Sequence, residues 1–201
     1  MEKYDTIIVG AGPGGLNAAK FLQKSKKSIL VIEQNKTIGP KICAAGLTQK
    51  SYDYLNLPNK LIHFKFNKIK INFPLIPSYL KLKKSFVYTI DRTEIANHQL
   101  SKLNKKYVTI IKNTRVTKIN KNHIITTNNN NNKIYFNNLI GADGSNSTVR
   151  KHLKLKTKNQ GIAIQYIIPT NKYNNMKIFL DSKLFKSWYA WIFPHKNYVS
   201  I

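Results

Sequence analysis

The chain has 201 residues, enough for one substantial core, and its 42% apolar and 11% aromatic content is that of a chain that folds rather than stays disordered. Its 34 Lys and Arg against 8 Asp and Glu give a formal net charge of +26, which favours phosphate-rich partners such as nucleic acid or an anionic lipid surface. A single cysteine, Cys43, excludes a disulfide framework and points to a reducing compartment, and no apolar run approaches the roughly 18 residues of a membrane span.

The basic residues are almost all Lys, scattered among Asn and Ile, and form neither an Arg-rich stripe nor a nucleic-acid motif. A solvated basic face, or peripheral contact with an anionic membrane surface, is expected ahead of nucleic acid. The opening "MEKYDTIIVGAG" enters a strand at once, without the charged, apolar and cleavage regions of a signal peptide. A cytoplasmic location is expected.

"YDTIIVG" (Tyr4 to Gly10) is predicted as a β-branched strand, and "GGLNAAKFLQKSKK" behind it as a helix with Leu16, Ala19, Phe21 and Leu22 at roughly helical spacing. "SILVIE" (Ser28 to Glu33) is a second apolar strand, giving a βαβ opening with a parallel pair. Thr37 to Leu47 is predicted as a loop, and Leu61 to Asp91 as irregular strands such as "HFKFNKIKINF". "RTEIANHQLSKLNKK" follows as a helix with Ile95, Leu100 and Leu103 inward. "VTIIKNTRVTKINKNHIITT" and "KIYFNNLIGADG" are predicted as strands joined through the asparagines 128–132, taken as a mobile hairpin tip in preference to an aggregation-prone tract. After a short helix in "NSTVRKHL" come antiparallel strands in "GIAIQYIIP", "MKIFLD" and "WYAWIFP".

"VGAGPGGLNAA" sets Gly10, Gly12 and Gly15 in G-x-G-x-x-G spacing, with Gly14 in the same turn, directly after a strand and opening a helix. The first glycine permits a tight turn, the second lets backbone approach a pyrophosphate, and the third lets helix and strand pack closely. Glu33 ends the second strand where a carboxylate can accept hydrogen bonds from ribose hydroxyls. The left-handed cap before that strand, often Gly, falls in "KSKKS", at a cost of about 1 kcal/mol.

"IGADGSNSTVR" resembles the second nucleotide-contacting motif of the glutathione-reductase-like FAD oxidoreductases, with Asp143 and Gly144 after a strand from Leu139 to Ala142; a plain Asp-Gly turn is the alternative. "YTIDRTEIANHQL" resembles the segment that sets an arginine, here Arg92, at the start of a helix facing the flavin, where a surface arginine is the other reading. Val116 in "NTRVTKI" falls where that branch lays strand backbone beside the adenine. "PKICAAGLT" resembles the Lys-x-Cys-Gly-Gly-Gly-Leu loop of the geranylgeranyl reductase family, and "YAWIFP" its Tyr-x-Trp-x-Phe-Pro substrate motif. Ala44 and Ala45 stand where that loop has glycines, and their methyl groups are expected to crowd it.

The resemblance implies an α/β fold: a Rossmann-like FAD-binding parallel sheet with a β-hairpin layer, plus the first part of a mixed, antiparallel β substrate domain. Residues 1–60 and 85–160 are assigned to the first and 61–84 and 161–201 to the second. The same resemblance implies FAD held by Gly10, Gly12, Gly14, Gly15, Glu33, Cys43, Ala44, Gly46, Arg92, Val116, Asp143 and Gly144, and reduction of C=C bonds in geranylgeranyl chains of isoprenoid ether lipids or their precursors. Cys43 is the expected catalytic residue, near the isoalloxazine, with a small buried hydrophobe as its alternative role. Tyr189, Trp191 and Phe193 are expected to line a tunnel for the prenyl chain, or else to pack a β-layer. NAD(P)H and ferredoxin both stand open as electron donor.

The family's pattern runs on beyond "YAWIFP", so the chain is expected to be incomplete, with a second polypeptide supplying the rest as one explanation and a pseudogene or unfinished sequence as another. The terminal strand is then expected to lack partners, to leave Trp188, Trp191 and Phe193 uncovered, and to hold FAD weakly. Two rival functions are an FAD-dependent aromatic monooxygenase and a non-catalytic nucleotide-binding or membrane-surface fragment.

Overall fold

The structure is a computed structural model that describes residues 2–127, 133–157 and 161–201. It divides into two compact units, Met1–Pro40 with Ala96–Gly161 and Lys41–Ile95 with Ile162–Ile201. In chain order, β1 (Glu2–Val9), α1 (Pro13–Leu22) and β2 (Ile29–Ile32) open the first unit. β3 (Gly46–Thr48), α2 (Gln49–Leu55), β4 (Phe64–Phe66), β5 (Lys68–Asn72), β6 (Pro77–Lys81) and β7 (Val87–Thr89) belong to the second. After α3 (Arg92–Ser101) the first unit resumes with β8 (Val108–Ile111), β9 (Val116–Ile119), β10 (His123–Thr126), β11 (Lys133–Gly141) and α4 (Thr148–His152). The second closes with β12 (Ile167–Pro169), β13 (Lys177–Phe179), α5 (Ser182–Phe185), β14 (Ala190–Pro194) and β15 (Tyr198–Ser200).

The first unit is built on a sheet of order β8-β2-β1-β11-β10-β9, parallel from β8 to β11 and antiparallel in the β11-β10-β9 hairpins. β2 is buried at all four residues and β1 at its last four, which is why both read as continuous apolar runs: a parallel sheet is covered on both faces. Alternation sorts the two faces. Ile7, Val9, Leu30 and Ile32 pack with Val116, Ile124, Ile134, Phe136 and Val149. Ile8, Ile29 and Val31 pack under Leu16 and Ala19 of α1, with Ala96 and Val108. The expected left-handed cap before β2 is Lys26, at φ +58°. The expected hairpin tip at 128–132 lies outside the described residues.

The second unit has a sheet of order β12-β15-β14-β13-β5-β6 and a three-stranded sheet β3-β7-β4. Residues 41–60 and 85–95, expected beside the nucleotide-binding sheet, cluster here because β3 and β4 both pair with β7. The sequence reading passed over α2, whose start is marked by Thr48, with its Oγ1 accepting from Ser51 N at 3.4 Å, and whose end is marked by Asn56 at φ +48°. "GIAIQYIIP" is strand only at Ile167–Pro169; Ile162 and Ile164 are exposed.

"SWYAWIFPHKNYVSI" does not run as one strand. It turns after Pro194, so that β14 and β15 pair antiparallel with Phe193 opposite Ser200. β14 also pairs with β13, and β15 with β12. The expectation that the terminal strand lacks partners is corrected by these ladders: the turn supplies one neighbour from the chain's own end, Phe193 is buried and Trp191 half-buried, and only Trp188 stays largely exposed.

Candidate functional site

In the first unit, the turn between β1 and α1 explains its glycines in two different ways. Gly10 has φ +101°, and a Cβ there would run into the Ala142 carbonyl and stand 2.9 Å from Asp143 Cα. A Cβ at Gly15 would strike the Gly10 carbonyl oxygen. These two glycines serve the protein's own packing. Gly12 has φ −68°, which any residue adopts, and a Cβ there, as at Gly14, would meet nothing within 4 Å. Neither backbone nor packing requires glycine at 12 or 14, so the space over them suits a group the chain does not itself provide.

Gly12 is also the N-cap of α1, with Pro13 following and no side chain capping the helix. The first amide groups of α1 therefore face that space without a side-chain cap among the described residues, as phosphate-binding helix starts do.

Glu33 follows β2 and is buried. Its Oε2 accepts from Ala11 N at 2.9 Å and its Oε1 from Asn35 N at 2.9 Å, so the carboxylate is tied to the glycine turn on one side. Each oxygen keeps a lone pair for a further donor. A small cleft of about 50 Å³ opens here, lined by Gly10, Glu33, Gln34, Arg115, Val116 and Thr148 among others. Gln34 Oε1 accepts from Arg115 Nε at 3.2 Å. The structure thus brings Gly10, Glu33 and Val116 to one cleft, and adds Gln34, Arg115 and Thr148, which the sequence reading did not single out.

Asp143 follows β11, but its carboxylate is turned onto α4: Oδ2 accepts from Thr148 N at 2.6 Å and Val149 N at 3.2 Å, while Oδ1 accepts from the Ser147 hydroxyl. Gly144 has φ +79° and open space around its Cα. The Asp-Gly pair holds the start of α4 in place, and through it Thr148 in the cleft wall.

In the second unit, the loop carrying Cys43, Ala44, Ala45 and Gly46 is clamped by side chains distant in sequence. Gln165 pairs with the backbone of Cys43 in both directions: Cys43 N donates to Gln165 Oε1 at 3.1 Å and Gln165 Nε2 donates to Cys43 O at 2.9 Å. Gln165 Nε2 also donates to Ser200 Oγ at 2.8 Å, which accepts from Trp191 Nε1 at 3.0 Å. The loop and the aromatic strand are joined in one polar network. Cys43 itself is exposed, which departs from a buried hydrophobe, and its Sγ accepts from Ala45 N at 3.4 Å.

A second clamp acts one residue on. His195, 1% exposed, has Nε2 at 3.0 Å from Ala44 O and Nδ1 at 3.2 Å from His63 Nδ1. Since Ala44 O only accepts, His195 carries its proton on Nε2, and its Nδ1 accepts from His63. His63 Nε2 lies 3.3 Å from Glu94 Oε2, and the His195 ring stacks on Tyr198 at 4.4 Å. Burial lowers the pKa of His195 below its ordinary value, with the Ala44 carbonyl opposing and His63 adding to the drop. Burial, with Asp91 beside it, pushes the Tyr198 phenol up to about 12. "PH" after the aromatic motif was the only sequence signal for this clamp.

Arg92 heads α3, whose start Asp91 caps by accepting from Thr93 N at 2.7 Å. Its Nε is buried without a hydrogen-bond partner among the described residues. Tyr189 is about half exposed and its ring meets Trp191 edge-on at 6.2 Å, whereas Phe193 belongs to a core with Phe66, Ile69 and Met176.

Residues 4–177 match the model of the pyridine nucleotide-disulphide oxidoreductase family. The chain belongs to this family of FAD-dependent oxidoreductases. It is 30% identical over its whole length to an uncharacterized protein of Methanosarcina barkeri, of which it covers 54%. It is 25% identical to digeranylgeranylglycerophospholipid reductase 1 of Methanosphaera stadtmanae, again over its whole length and 54% of the relative. Its fold matches that of a geranylgeranyl bacteriochlorophyll reductase-like protein from Thermoplasma acidophilum with a TM-score of 0.78 at 21% identity, covering 100% of this chain and 56% of that one. The chain spans about half the length of the curated relatives it matches. Among the described residues, no helix is long and apolar enough to cross a membrane.

Proposed function

We propose that the protein is an FAD-dependent reductase of isolated C=C bonds in geranylgeranyl chains, acting on isoprenoid ether lipids or their precursors. The observation that carries this reading is the clamp between the Cys43–Gly46 loop and the Trp191 strand, because the two segments that resemble the prenyl-reductase motifs are fixed to each other by Gln165 and Ser200. The name of the Methanosphaera stadtmanae relative supports the same substrate class.

The first unit fits the adenosine and pyrophosphate part of FAD. Open space at Gly12 and Gly14, the uncapped start of α1 and the spare lone pairs of Glu33 supply room, amide donors and ribose acceptors. Arg92, with its orphaned Nε, would donate to an anionic or carbonyl oxygen of the cofactor. Bound flavin supplies the hydride chemistry.

The chain's own residues position, shield and protonate. Gln165 and His195 hold the carbonyls of Cys43 and Ala44 by side-chain donors, so the loop cannot swing without breaking both. The exposed Cys43 Sγ would hold the proton delivered to the second alkene carbon, and Tyr189 and Trp191 present apolar surface to a prenyl chain while Phe193 backs the loop. The test is mass spectrometry of digeranylgeranylglycerophospholipid after incubation with the full-length protein, FAD and a chemical reductant. Gain of two hydrogens per reduced bond is expected; an unchanged lipid with FAD bound would overturn the substrate assignment.

A further inference from the structure

The second unit holds a lysine-walled cavity that the flavin and loop residues do not touch. Its sheet sets β6, β5 and β13 side by side, with Lys70 opposite Tyr79 on one neighbour and opposite Lys177 on the other. Alternation puts Lys68, Lys70 and Lys177 on one face. With Tyr79, Asn174 and Asn175 they line a cavity of about 320 Å³, whose wall also includes the buried Phe66 and Met176.

Three cations on adjacent strands repel one another unless something offsets them. Among the described residues, no acidic side chain lines the cavity. The chain carries no Asp or Glu between Asp53 and Asp91, or between Asp143 and Asp181, the two stretches that supply these strands. Two of the three ammonium groups rest on aromatic faces instead: Lys68 Nζ lies 4.1 Å from the Tyr79 ring centre and Lys177 Nζ lies 5.4 Å from that of Tyr173. The hydroxyl of Tyr173 is buried without a hydrogen-bond partner among the described residues. The aromatic rings orient the cations but leave their charge uncompensated.

We propose that Lys68, Lys70 and Lys177 bind a phosphate-ester anion, with Tyr79, Asn174 and Asn175 adding neutral donors. The cavity has the size of a small-ligand site rather than that of a bare ion. On the reductase reading, on which this last step rests, the anion is the phosphorylated end of the prenyl lipid.

The test uses the full chain with two probes, glycerol 1-phosphate in solution and vesicles of phosphatidylglycerol in phosphatidylcholine. Two paired variants are compared, K70Q/K177Q in the cavity and K102Q/K105Q at exposed positions of the first unit, which remove the same charge. Binding should weaken about ten-fold or more in the cavity pair and stay close to wild type in the control pair. Loss with the soluble probe alone identifies a soluble phosphate ester, and loss with vesicles identifies a lipid headgroup; both support the site. Equal binding by the two variant pairs, or no binding of either probe by the wild-type chain, would overturn it. FAD titration of K70Q/K177Q should match wild type, so failure of the flavin reading and failure of the anion site give different results.

Discussion

Phe193 lies so close to Gly46 that a Cβ on that glycine would stand 2.9 Å from the ring's Cδ2 and nearer still to Cε2. The aromatic strand and the Cys43–Gly46 loop therefore meet through a contact only glycine allows. Gly46→Ala should destabilise the protein by about 1–3 kcal/mol, the usual cost of overpacking. Combining it with Phe193→Leu, which frees the space, should recover part of that loss. Denaturant midpoints of both single variants and the double check this; strict additivity would mean the two residues do not press on each other.

Ala45 sits one residue before, at φ +55°, where a side chain costs about 1–2 kcal/mol. The loop adopts the glycine conformation without the glycine. Ala45→Gly should raise stability by about 1 kcal/mol, read as a shift of the urea midpoint at unchanged slope. No gain would show that buried packing of the methyl group offsets the strain.

The glycines of the β1–α1 turn should separate by readout. Gly15→Ala puts a methyl group into the Gly10 carbonyl and should cost several kcal/mol or abolish folding. Gly12→Ala meets only open space and should leave the melting temperature within about 2 °C while weakening nucleotide binding. A Gly12→Ala variant that binds as tightly as wild type would show that nothing approaches that backbone.

Much of the first unit was legible because its signals are local. A continuous apolar run means a strand covered on both faces, and Ile7, Leu30 and Ile32 are buried as that pattern demands. The glycine spacing likewise reports a turn whose parts lie within a few residues. The second unit was harder to read, since its short strands are fixed by partners far away: β13 gains a parallel neighbour in β5, more than a hundred residues earlier, and nothing in "MKIFLD" announces it. Gln165 and His195 were missed for the same reason. A glutamine or histidine flanking a strand carries no pattern until the backbone carbonyls of Cys43 and Ala44 are brought against it.

His195 gives a pH signature. Its pKa in the fold lies below the ordinary 6.5, so as the pH falls under that value the unfolded chain takes up a proton that the folded chain resists. The stability contribution is full above about 6.5 and is lost as the pH drops toward the folded value. Urea midpoints measured at a series of pH values should fall more steeply on acidification for wild type than for His195→Gln, which keeps a donor for the Ala44 carbonyl. Parallel profiles would mean His195 is not held neutral.

Cys43 is exposed at the clamped loop, so Cys43→Ala should leave the denaturation midpoint near wild type while lowering alkene reduction. Unchanged turnover in the full-length protein would remove the thiol from the proton step.

The adenosine site is tested most directly by mapping backbone amide shifts of the isotopically labelled chain on titration with ADP, which carries the adenosine and pyrophosphate without the flavin. The expected result is movement of the amides from Gly10 to Gly15, of Glu33 and of Val116, abolished by Gly12→Ala. Shifts confined to the lysine cavity, with none at the glycine turn or Glu33, would contradict the assignment of that cleft to a dinucleotide.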